Sequence, residues 1–263
     1  ANYLMYTIED SLGYIEDEKI GAVVNGLVNE GTLGLDEDKS GYKRVYLKKY
    51  KELEQRVCNE LVRITKGKNR FNYAGWEDRV KQVEKWQGWT HTEEQWEGIK
   101  TVLENQVVVI TGEAGTGKSS VVSAMLKALE GNTYSFAQTA LSGRASAKLQ
   151  EVTGEEGQTI HRLLGFNPQE GFMYNKHNKL PLDLVILDEI SLVGGRIFLK
   201  LIEAINTNSK LIIIGDDGQL ESIGCMNLAR DLIETAAISV VRLTEPHRQA
   251  KKSGMITESM KIR

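Results

Sequence analysis

The feature that most constrains this chain is the stretch VVVITGEAGTGKSS at residues 107–120. Its first five residues are mostly β-branched and predict a short buried strand. A glycine-rich turn follows with the spacing Gly112-x-x-x-x-Gly117-Lys118-Ser119, and a helix is predicted directly after it. In this order of strand, turn and helix, backbone N–H groups and the positive end of the helix can surround a phosphate. The chain is therefore expected to form an α/β fold around a phosphate-binding loop (P-loop).

Each part of the P-loop has a physical role in binding a nucleoside triphosphate. The glycines, which include Gly115, let the backbone approach a phosphate without side-chain clashes. Lys118 can reach the β- and γ-phosphates, and the hydroxyl of Ser119 can bind Mg²⁺. Thr116 and Ser120 complete the predicted nucleotide-binding residues of the turn. We therefore expect a nucleoside triphosphate and Mg²⁺ to bind at this turn.

The composition limits the classes of protein to which the chain can belong. A hydrophobic content of 41% in 263 residues is enough for a substantial core, in one large domain or two smaller ones. A net charge of −3 does not predict non-specific adhesion to nucleic acid. No apolar run approaches the length of a membrane span, and the two cysteines, Cys58 and Cys225, show no metal-binding spacing. These features indicate a cytoplasmic protein with reduced thiols.

From about residue 90 onward, apolar runs alternate with helical patterns. This alternation predicts a parallel sheet with helices on both faces. Ligands bind to such sheets at the carboxyl ends of the strands. The predicted strands are residues 107–111, 133–137, 183–187, 210–214 and 240–243, and the predicted helices are residues 118–130, 143–153, 158–165, 194–206 and 227–235.

The residues before this region predict a smaller α+β unit. Apolar residues at helical spacing between residues 20 and 28 predict a helix. Gly31, just after them, predicts its end. Residues 32–35 and 44–47 then predict two strands around a polar turn. A helix followed by a hairpin suggests a winged-helix-like unit over residues 1–48.

Between the two regions, residues 49–90 are predicted to form a helical linker, and residues 91–263 are predicted to form the α/β domain. All four tryptophans lie between Trp76 and Trp96. They are expected to form either a surface on which bases stack or a hydrophobic seam that joins the N-terminal unit to the next domain. The seam is favoured because tryptophan is mostly a packing residue. Residues 40–70 carry ten basic and three acidic side chains. This charge either contacts a nucleic-acid backbone or, more commonly, forms the solvated face of a helix.

A later apolar strand ends in two carboxylates. The stretch LVILDEIS at residues 184–191 contains Asp188 and Glu189. At a strand end in the same sheet as a P-loop, Asp188 can hold Mg²⁺ opposite Ser119, directly or through water. Glu189 can act as a general base for an attacking water. These two residues are the predicted catalytic carboxylates.

Three further residues are weaker candidates for nucleotide contacts. The stretch IIIGDDGQL ends an apolar strand, and its Gln219 can reach the γ-phosphate or the attacking water. The stretch LTEPHRQ follows the last predicted strand, and its Arg248 is a candidate γ-phosphate sensor. The stretch THTEEQ lies just upstream of the P-loop strand, and its Gln95 is a candidate for recognition of adenine.

In their order along the chain, these motifs resemble those of superfamily 1 helicases, most closely the RecD-like group (exonuclease V alpha subunit and TraA-type helicases). The stretch SGRASAKLQEVTGEEGQTIHRLLGF at residues 142–166 strengthens the resemblance, which covers about residues 44–263. It implies that residues 91–263 form the first RecA-like motor domain of a P-loop NTPase. It also implies that ATP and Mg²⁺ are the cofactors, and that the motor moves 5′ to 3′ on single-stranded DNA.

The resemblance implies a role for each candidate residue. At the nucleotide, Lys118 and Ser119 would bind phosphate and Mg²⁺, and Asp188 would also hold Mg²⁺. Glu189 would activate water, and Gln95 would recognise adenine. Gln219 would couple the γ-phosphate to DNA, and Arg248 would sense the γ-phosphate. Along the single-stranded DNA, the contacting residues would be Thr139, Ser142, Arg144, Thr159 and His161.

The chain departs from the pattern of the group in three places. Residues 138–143 read QTALSG where the group often has Pro-Thr-Gly, which leaves open which hydroxyl contacts DNA. Residues 215–220 read GDDGQL where Gly-Asp-Pro-x-Gln-Leu is usual, and the glutamine is kept. His91 stands where an apolar residue is usual.

The late motifs of the group, including a second arginine and a Ser-Gln-Gly stretch, are not found in this sequence. Without arginine stabilisation, hydrolysis is typically slower by a factor on the order of 10³–10⁵. We therefore expect this chain to be the front half of a larger helicase that binds ATP but hydrolyses it slowly. The expected partners are then a second motor domain and recombination or replication subunits, with no membrane contact.

Other classes of P-loop protein fit the sequence less well. A GTPase would need Asn-Lys-x-Asp, whereas the nearest stretch, residues 175–178, reads NKHN. A small-molecule kinase fits poorly because paired acids at a strand end suit the activation of water. No nuclease metal cluster is visible in the sequence, so chemistry on DNA ends is not expected. The non-enzymatic alternative is an ATP-switched DNA-binding or loader module.

Overall fold

The computed structural model describes residues 17–37, 40–216, 226–235 and 237–245. The chain divides into two compact units, residues 1–55 and 56–263. The first elements in chain order are helix α1 (Asp17–Asn29), strands β1 (Leu33–Glu37) and β2 (Lys43–Leu47), and helix α2 (Lys48–Thr65), which continues into the second unit.

In the first unit, the predicted order of helix and hairpin is present. Gly31 has a φ of 82°, and the N–H of Thr32 donates to the carbonyl of Leu27 at 3.0 Å, which ends α1. Strands β1 and β2 pair antiparallel, with Leu33 opposite Leu47. A glycine is needed at the helix end because other residues rarely adopt a positive φ.

The second unit contains all the remaining elements. None of the described helices is long and apolar enough to span a membrane. In chain order the elements are α3 (Trp76–Gln87), α4 (Glu93–Glu104), β3 (Val107–Gly112), α5 (Lys118–Ala128), β4 (Phe136–Ala140), α6 (Gly143–Thr153), β5 (Gly157–Thr159), α7 (Ile160–Leu163), β6 (Phe166–Asn167), β7 (Gly171–Phe172), β8 (Leu184–Leu187), a 3₁₀ helix (Ile190–Leu192), α8 (Gly195–Ala204), β9 (Lys210–Gly215), α9 (Leu228–Glu234) and β10 (Ser239–Leu243).

Six of these strands form one parallel sheet in the order β10-β3-β9-β8-β4-β5. Val108 and Ile212 lie side by side on one face, in a core formed with α3, α4 and α5. Val109 and Ile213 point to the opposite face and are also fully buried. Both faces are therefore covered, as expected for a parallel sheet. The predicted P-loop α/β class is confirmed.

Four of the five predicted strands lie within one residue of their predicted bounds, but β4 begins three residues later than predicted. Ser135 ends the loop before it: its N–H and hydroxyl both donate to the Asp183 carboxylate, at 2.9 and 3.0 Å. Pairing of β4 with β8 begins only at Phe136, opposite Leu184. A tertiary contact therefore sets this boundary. Strand β5, with the sequence GQT, was not predicted because it is short and polar.

The tryptophans divide between the core and the surface of the second unit. Trp76 belongs to the core, and its ring lies 5.4 Å from the ring of Trp96. Trp86 is 90% exposed. Trp76 and Trp96 therefore pack within the second unit, whereas Trp86 lies on the surface, and a seam to the N-terminal unit stays a prediction.

A fully buried lysine starts strand β9 and was not singled out from the sequence. The Nζ atom of Lys210 donates to the carbonyls of Val102 (2.8 Å), Leu103 (3.2 Å) and Asn105, at the C-terminal end of α4. Burial lowers the pKa of Lys210 to about 7. Carbonyls at the end of a helix lack partners within the helix. Lys210 donates to all three, and the Asn69 amide also donates to Leu103 O at 2.7 Å. Lys210 therefore ties α4 to the centre of the sheet.

Candidate active site

The parallel sheet brings the P-loop and the Asp188–Glu189 turn to one edge. Gly112 ends β3, Asp188 follows β8, and Asp216 follows β9, and these three strands are direct neighbours or one strand apart. Thr244 follows β10 on the other side of β3. Because all six strands are parallel, their carboxyl ends lie together, which is where ligands bind in such sheets.

The P-loop has a backbone that only glycine allows at its first and last positions. Gly112 has a φ of 153°, and a Cβ there would lie 2.3 Å from the carbonyl oxygen of Leu243. Gly117 has a φ of 88°, and a Cβ there would lie 2.2 Å from Nε2 of Gln95. Helix α5 begins at Lys118 with no side-chain cap at Gly117. The N–H groups of its first turn can therefore donate to a phosphate, as binding of the predicted nucleotide requires.

Lys118 and the two serines lie on the first turn of α5, as predicted. The Nζ atom of Lys118 donates to the carbonyls of Gly112 and Glu113, the second at 3.0 Å. Lys118, Ser119 and Ser120 are all half-buried. To reach a phosphate, Lys118 has to exchange these carbonyls for phosphate oxygens. Phosphate oxygens are the better acceptors because they carry charge.

Asp188 and Glu189 form a tight turn at the end of β8. The backbone N–H of Asp188 donates to Thr139 O at 2.9 Å, and its carboxylate accepts from the N–H of Glu189 at 2.8 Å. Glu189 has a φ of 54°, a left-handed conformation that is unfavourable for a residue with a side chain. Such backbone strain is found most often at functional sites.

The electrostatics of this turn connect it to the P-loop. Desolvation raises the pKa of Asp188, and the Glu189 charge raises it further. The N–H of Glu189 and the charges of Lys148 and Lys118 lower that pKa. Lys118 and Asp188 therefore lie within electrostatic reach, as a shared nucleotide and Mg²⁺ site requires. The contribution of Lys148, on α6, was not predicted from the sequence.

Gln95 is fully buried, and both polar ends of its side chain are used by the protein. Its Oε1 accepts from Thr92 N at 3.0 Å, and its backbone N–H donates to the Thr92 hydroxyl, which forms a capping box for α4. Its Nε2 donates to Thr116 O in the P-loop at 3.0 Å. Contact between this amide and adenine stays a prediction, and it requires the side chain, which is fully buried here, to become accessible.

His91 is buried for a reason that its sequence context does not show. The Oε1 atom of Glu84 accepts from His91 N at 2.7 Å and from Trp96 Nε1 at 3.1 Å. The Nδ1 atom of His91 lies 3.0 Å from the same oxygen. The His91 ring and backbone thus help to satisfy a half-buried carboxylate.

Two of the predicted DNA-contacting hydroxyls are helix caps. Ser142 Oγ accepts from Ala145 N at 3.2 Å at the start of α6. Thr159 Oγ1 accepts from Arg162 N at 3.2 Å at the start of α7. Both hydroxyls lie at the edge that carries the P-loop, because β4 and β5 end there.

The other three predicted DNA residues differ in exposure. Arg144 and His161 are exposed. Thr139 is fully buried, and its hydroxyl has no hydrogen-bond partner among the described residues. In this conformation the Thr139 side chain does not face solvent. Gln219 and Arg248 lie outside the described residues.

An aromatic cluster lies beside these residues and was not predicted. The ring centroids of His161 and Phe166 are 5.5 Å apart, those of His161 and Phe172 are 5.8 Å apart, and those of Phe166 and Phe172 are 5.0 Å apart. The two phenylalanines come from the short β6–β7 hairpin, and Phe166 is 48% exposed. Exposed rings of this kind can stack on bases.

Comparison with known proteins agrees with this geometry. The family model described as "AAA domain" matches residues 90–263, which is more than half of the chain. The chain is 35% identical over 166 residues to the ATP-dependent RecD2 DNA helicase of Deinococcus radiodurans, covering 63% of this chain and 23% of that protein. It is 29% identical over 243 residues to the RecBCD enzyme subunit RecD of Mycolicibacterium smegmatis, covering 82% of this chain and 42% of that protein.

Among solved structures, the Pif1 helicase from Candida albicans aligns with a TM-score of 0.46 and 26% identity, over 65% of this chain and 43% of that chain. The chain spans less than half the length of the two curated relatives. The family match covers the P-loop, the Asp188–Glu189 turn and the full parallel sheet. The chain therefore belongs to the AAA domain family.

Proposed function

We propose that this chain is the ATP-binding front half of a 5′-to-3′ DNA helicase, in which ATP hydrolysis drives movement along single-stranded DNA. The observation that carries the proposal is the arrangement of Lys118 and Asp188. They come from separate strand–turn units, yet they lie within electrostatic reach at one edge of the sheet. The similarity to an ATP-dependent RecD2 DNA helicase supports the DNA substrate. The direction of movement is what the family resemblance implies.

The residues of the P-loop would bind the phosphates. Lys118 would leave the carbonyls of Gly112 and Glu113 and donate to phosphate oxygens. Ser119 and Asp188 would hold Mg²⁺, which when bound neutralises charge on the phosphates. The site has the hydroxyl, the carboxylate and the glycine-lined loop that this group needs.

Glu189 would act on the attacking water. Glu189 follows Asp188 directly in the chain, and its backbone is left-handed, with a φ of 54°. The Glu189 carboxylate would accept a proton from the water while Asp188 stays on the metal side. Gln219 would couple the γ-phosphate to DNA and Arg248 would sense it, as the family resemblance implies.

Single-stranded DNA would run across the carboxyl ends of β4 and β5. Arg144 and His161 are exposed there, next to the capping hydroxyls of Ser142 and Thr159. A motor needs backbone contacts and stacking rather than base-edge recognition. The exposed ring of Phe166 adds a stacking surface beside these residues.

We further propose that the residues of this chain alone hydrolyse ATP slowly. The relatives contain additional sequence, since the chain spans 23% and 42% of their lengths. A second motor domain would supply the arginine that stabilises the transition state, and such arginines change rates on the order of 10³–10⁵-fold. Recombination or replication subunits are the proposed further partners.

The test is ATP binding and hydrolysis with and without single-stranded DNA, for the wild-type chain and Lys118→Ala. We expect wild-type binding of Mg-ATP, slow turnover, and loss of binding in Lys118→Ala. Lys127→Ala is the matched control, because Lys127 lies on the same helix in an exposed pair with Glu130. That variant should bind ATP as the wild type does, since exposed pairs contribute little.

Three results would change the proposal. Fast, DNA-stimulated turnover that requires Lys118 would show that the site is complete in this chain or is completed by a second copy of it. ATP-dependent DNA binding with no turnover, even after the rest of the protein is added, would instead support the switched DNA-binding or loader module. Equal ATP binding by the wild type and Lys118→Ala would contradict the nucleotide site itself.

A further inference from the structure

The side chain of Gln95 contacts the P-loop at the peptide unit between Thr116 and Gly117. Its Nε2 atom donates to Thr116 O at 3.0 Å, in a buried hydrogen bond. A Cβ on Gly117 would lie only 2.2 Å from the same Nε2 atom. Gln95 is fully buried, and Thr116 is 1% exposed. The amide of Gln95 therefore lies directly against the end of the P-loop.

The bond to Thr116 O also fixes the direction of a backbone donor. In a planar trans peptide unit, the C=O and N–H groups point in opposite directions. A hydrogen bond that holds the carbonyl of Thr116 therefore sets the direction of the Gly117 N–H. The N–H groups of a P-loop are the donors that surround a bound phosphate. Without a donor on Thr116 O, a buried carbonyl is left unpaired beside a glycine, which permits the peptide unit to turn.

Gln95 is itself held in place by the rest of its helical turn. Its Oε1 atom accepts from Thr92 N at 3.0 Å. Glu94, one residue earlier, accepts at Oε2 from Thr244 N at 2.7 Å and from Glu245 N at 3.2 Å, just after β10. The sequence offered no reason to single out Glu94 from the other acids of the THTEEQ stretch. The first turn of α4 is thus anchored to the end of β10.

Strand β10 contacts the other end of the P-loop. Leu243, its last residue, pairs with Gly112, and a Cβ on Gly112 would lie 2.3 Å from the carbonyl oxygen of Leu243. Gly112 begins the glycine-rich turn, and Gly117 ends it. Helix α4 and strand β10 therefore hold the two ends of the P-loop and are linked to each other through Glu94. A loop that is fixed before its ligand arrives loses less freedom on binding, which increases affinity.

We propose that Gln95 is a positioning residue for the P-loop: its amide orients the Thr116–Gly117 peptide unit for phosphate binding, so it acts on the triphosphate and not on the base. The inference rests on the proposed function, in which the P-loop binds the phosphates of ATP. The role differs from recognition of adenine, because both Oε1 and Nε2 of Gln95 already have partners within the protein.

The test compares the affinities of the chain for Mg-ATP, Mg-GTP and Mg-tripolyphosphate, which share the phosphates and differ in the base. Gln95→Met keeps an unbranched side chain and removes the donor to Thr116 O. It is expected to weaken binding of all three ligands by about fivefold or more, and by the same factor. Recognition of adenine by Gln95 would instead lower the affinity for ATP alone. Titration calorimetry measures the three affinities.

Thr92→Ala is the matched control for the start of α4. It removes the hydroxyl that accepts from Gln95 N, but it keeps the Thr92 N–H and the bond from Gln95 to Thr116 O. It should leave all three affinities unchanged, whereas an effect through the helix cap would appear in both variants. Gln95→Glu is a second variant, which keeps the acceptor for Thr92 N, removes the donor, and should also lose affinity for all three ligands. Thermal unfolding of each variant shows whether the affinities refer to folded protein.

The inference is overturned if the Gln95 variants keep the wild-type affinities, if they lose affinity for ATP alone, or if Thr92→Ala causes the same loss. It is also overturned if the wild type binds ATP but neither GTP nor tripolyphosphate, because the base then supplies the affinity. In each of these cases the proposed function survives, as long as Lys118→Ala still abolishes ATP binding. If Lys118→Ala binds ATP as the wild type does, the proposed function fails as well.

Discussion

Gly112 is a residue at which the absence of a Cβ allows the P-loop to form. Its φ of 153° and its approach to Leu243 O both exclude a Cβ. The first requirement follows from the glycine-rich motif, and the sequence alone indicated it. The second depends on β10, more than one hundred residues away in the chain, and became visible only in the assembled sheet.

Lys210 is the clearest case of a residue whose role depends on burial. Burial lowers its pKa to about 7, whereas an unfolded lysine titrates near 10.5. Between these pH values the unfolded chain holds a proton that the folded chain has released. The free energy of unfolding should therefore rise with pH in this window, by up to about 1.4 kcal/mol per pH unit from this residue.

We predict that the free energy of unfolding of the wild type rises with pH relative to that of Lys210→Met. Urea unfolding at pH 7, 8 and 9 measures both free energies of unfolding, and the wild-type value should increase more than the variant value as pH rises. Lys100→Met is the control, because Lys100 is an exposed lysine of α4, the helix that Lys210 contacts. A wild-type-to-variant difference that stays constant over this range would contradict the lowered pKa.

At the scale of elements, the β6–β7 hairpin carries a surface that its sequence does not reveal. Its strands have only two residues each, too few for a recognisable alternation. Their pairing places Phe166 opposite Phe172 and both beside His161 on α7. A tertiary arrangement thus forms an aromatic cluster next to the proposed DNA track.

We predict that Phe166→Ala weakens binding of single-stranded DNA by roughly fivefold or more, the size of one lost base stack. Fluorescence anisotropy with a labelled oligonucleotide measures the change, and the affinity for ATP should stay as in the wild type. Trp86→Ala is the control, since Trp86 is an exposed ring outside the cluster. Weaker DNA binding in the Trp86 variant but not in the Phe166 variant would show that bases stack on the tryptophan surface instead.

At the scale of the whole molecule, the division into two units assigns the nucleotide chemistry to one of them. Every predicted nucleotide-binding residue lies within residues 56–263. The first unit has its own helix and hairpin, with Lys43 and Arg44 exposed on β2. Its contribution to DNA or partner binding stays a prediction from its charge.

We predict that a fragment beginning at Lys48, which keeps all of α2, binds Mg-ATP with the affinity of the full chain. The reason is that the P-loop, the Asp188–Glu189 turn and their supporting helices are all retained. Titration calorimetry of the two proteins provides the comparison. If the fragment is folded but binds ATP more weakly, the first unit takes part in the nucleotide site.

The sequence by itself determined the local motifs and most secondary-structure elements of this protein. The β-branched strand, the glycines and the lysine of the P-loop act within a dozen residues, so local spacing was enough to identify them. The same holds for the Asp188–Glu189 strand end and for most helices and central strands, because their apolar patterns reflect burial on one or both sides.

Only the tertiary structure decided which of these motifs and elements contact one another. Glu94 meets Thr244 across 150 residues, Lys210 meets α4 across more than one hundred, and Thr139 is withdrawn from the surface by its neighbours in the sheet. None of these residues differs in type from many solvated residues of the chain. Their roles depend on strand order and burial, which arise from the packing of distant segments rather than from local spacing.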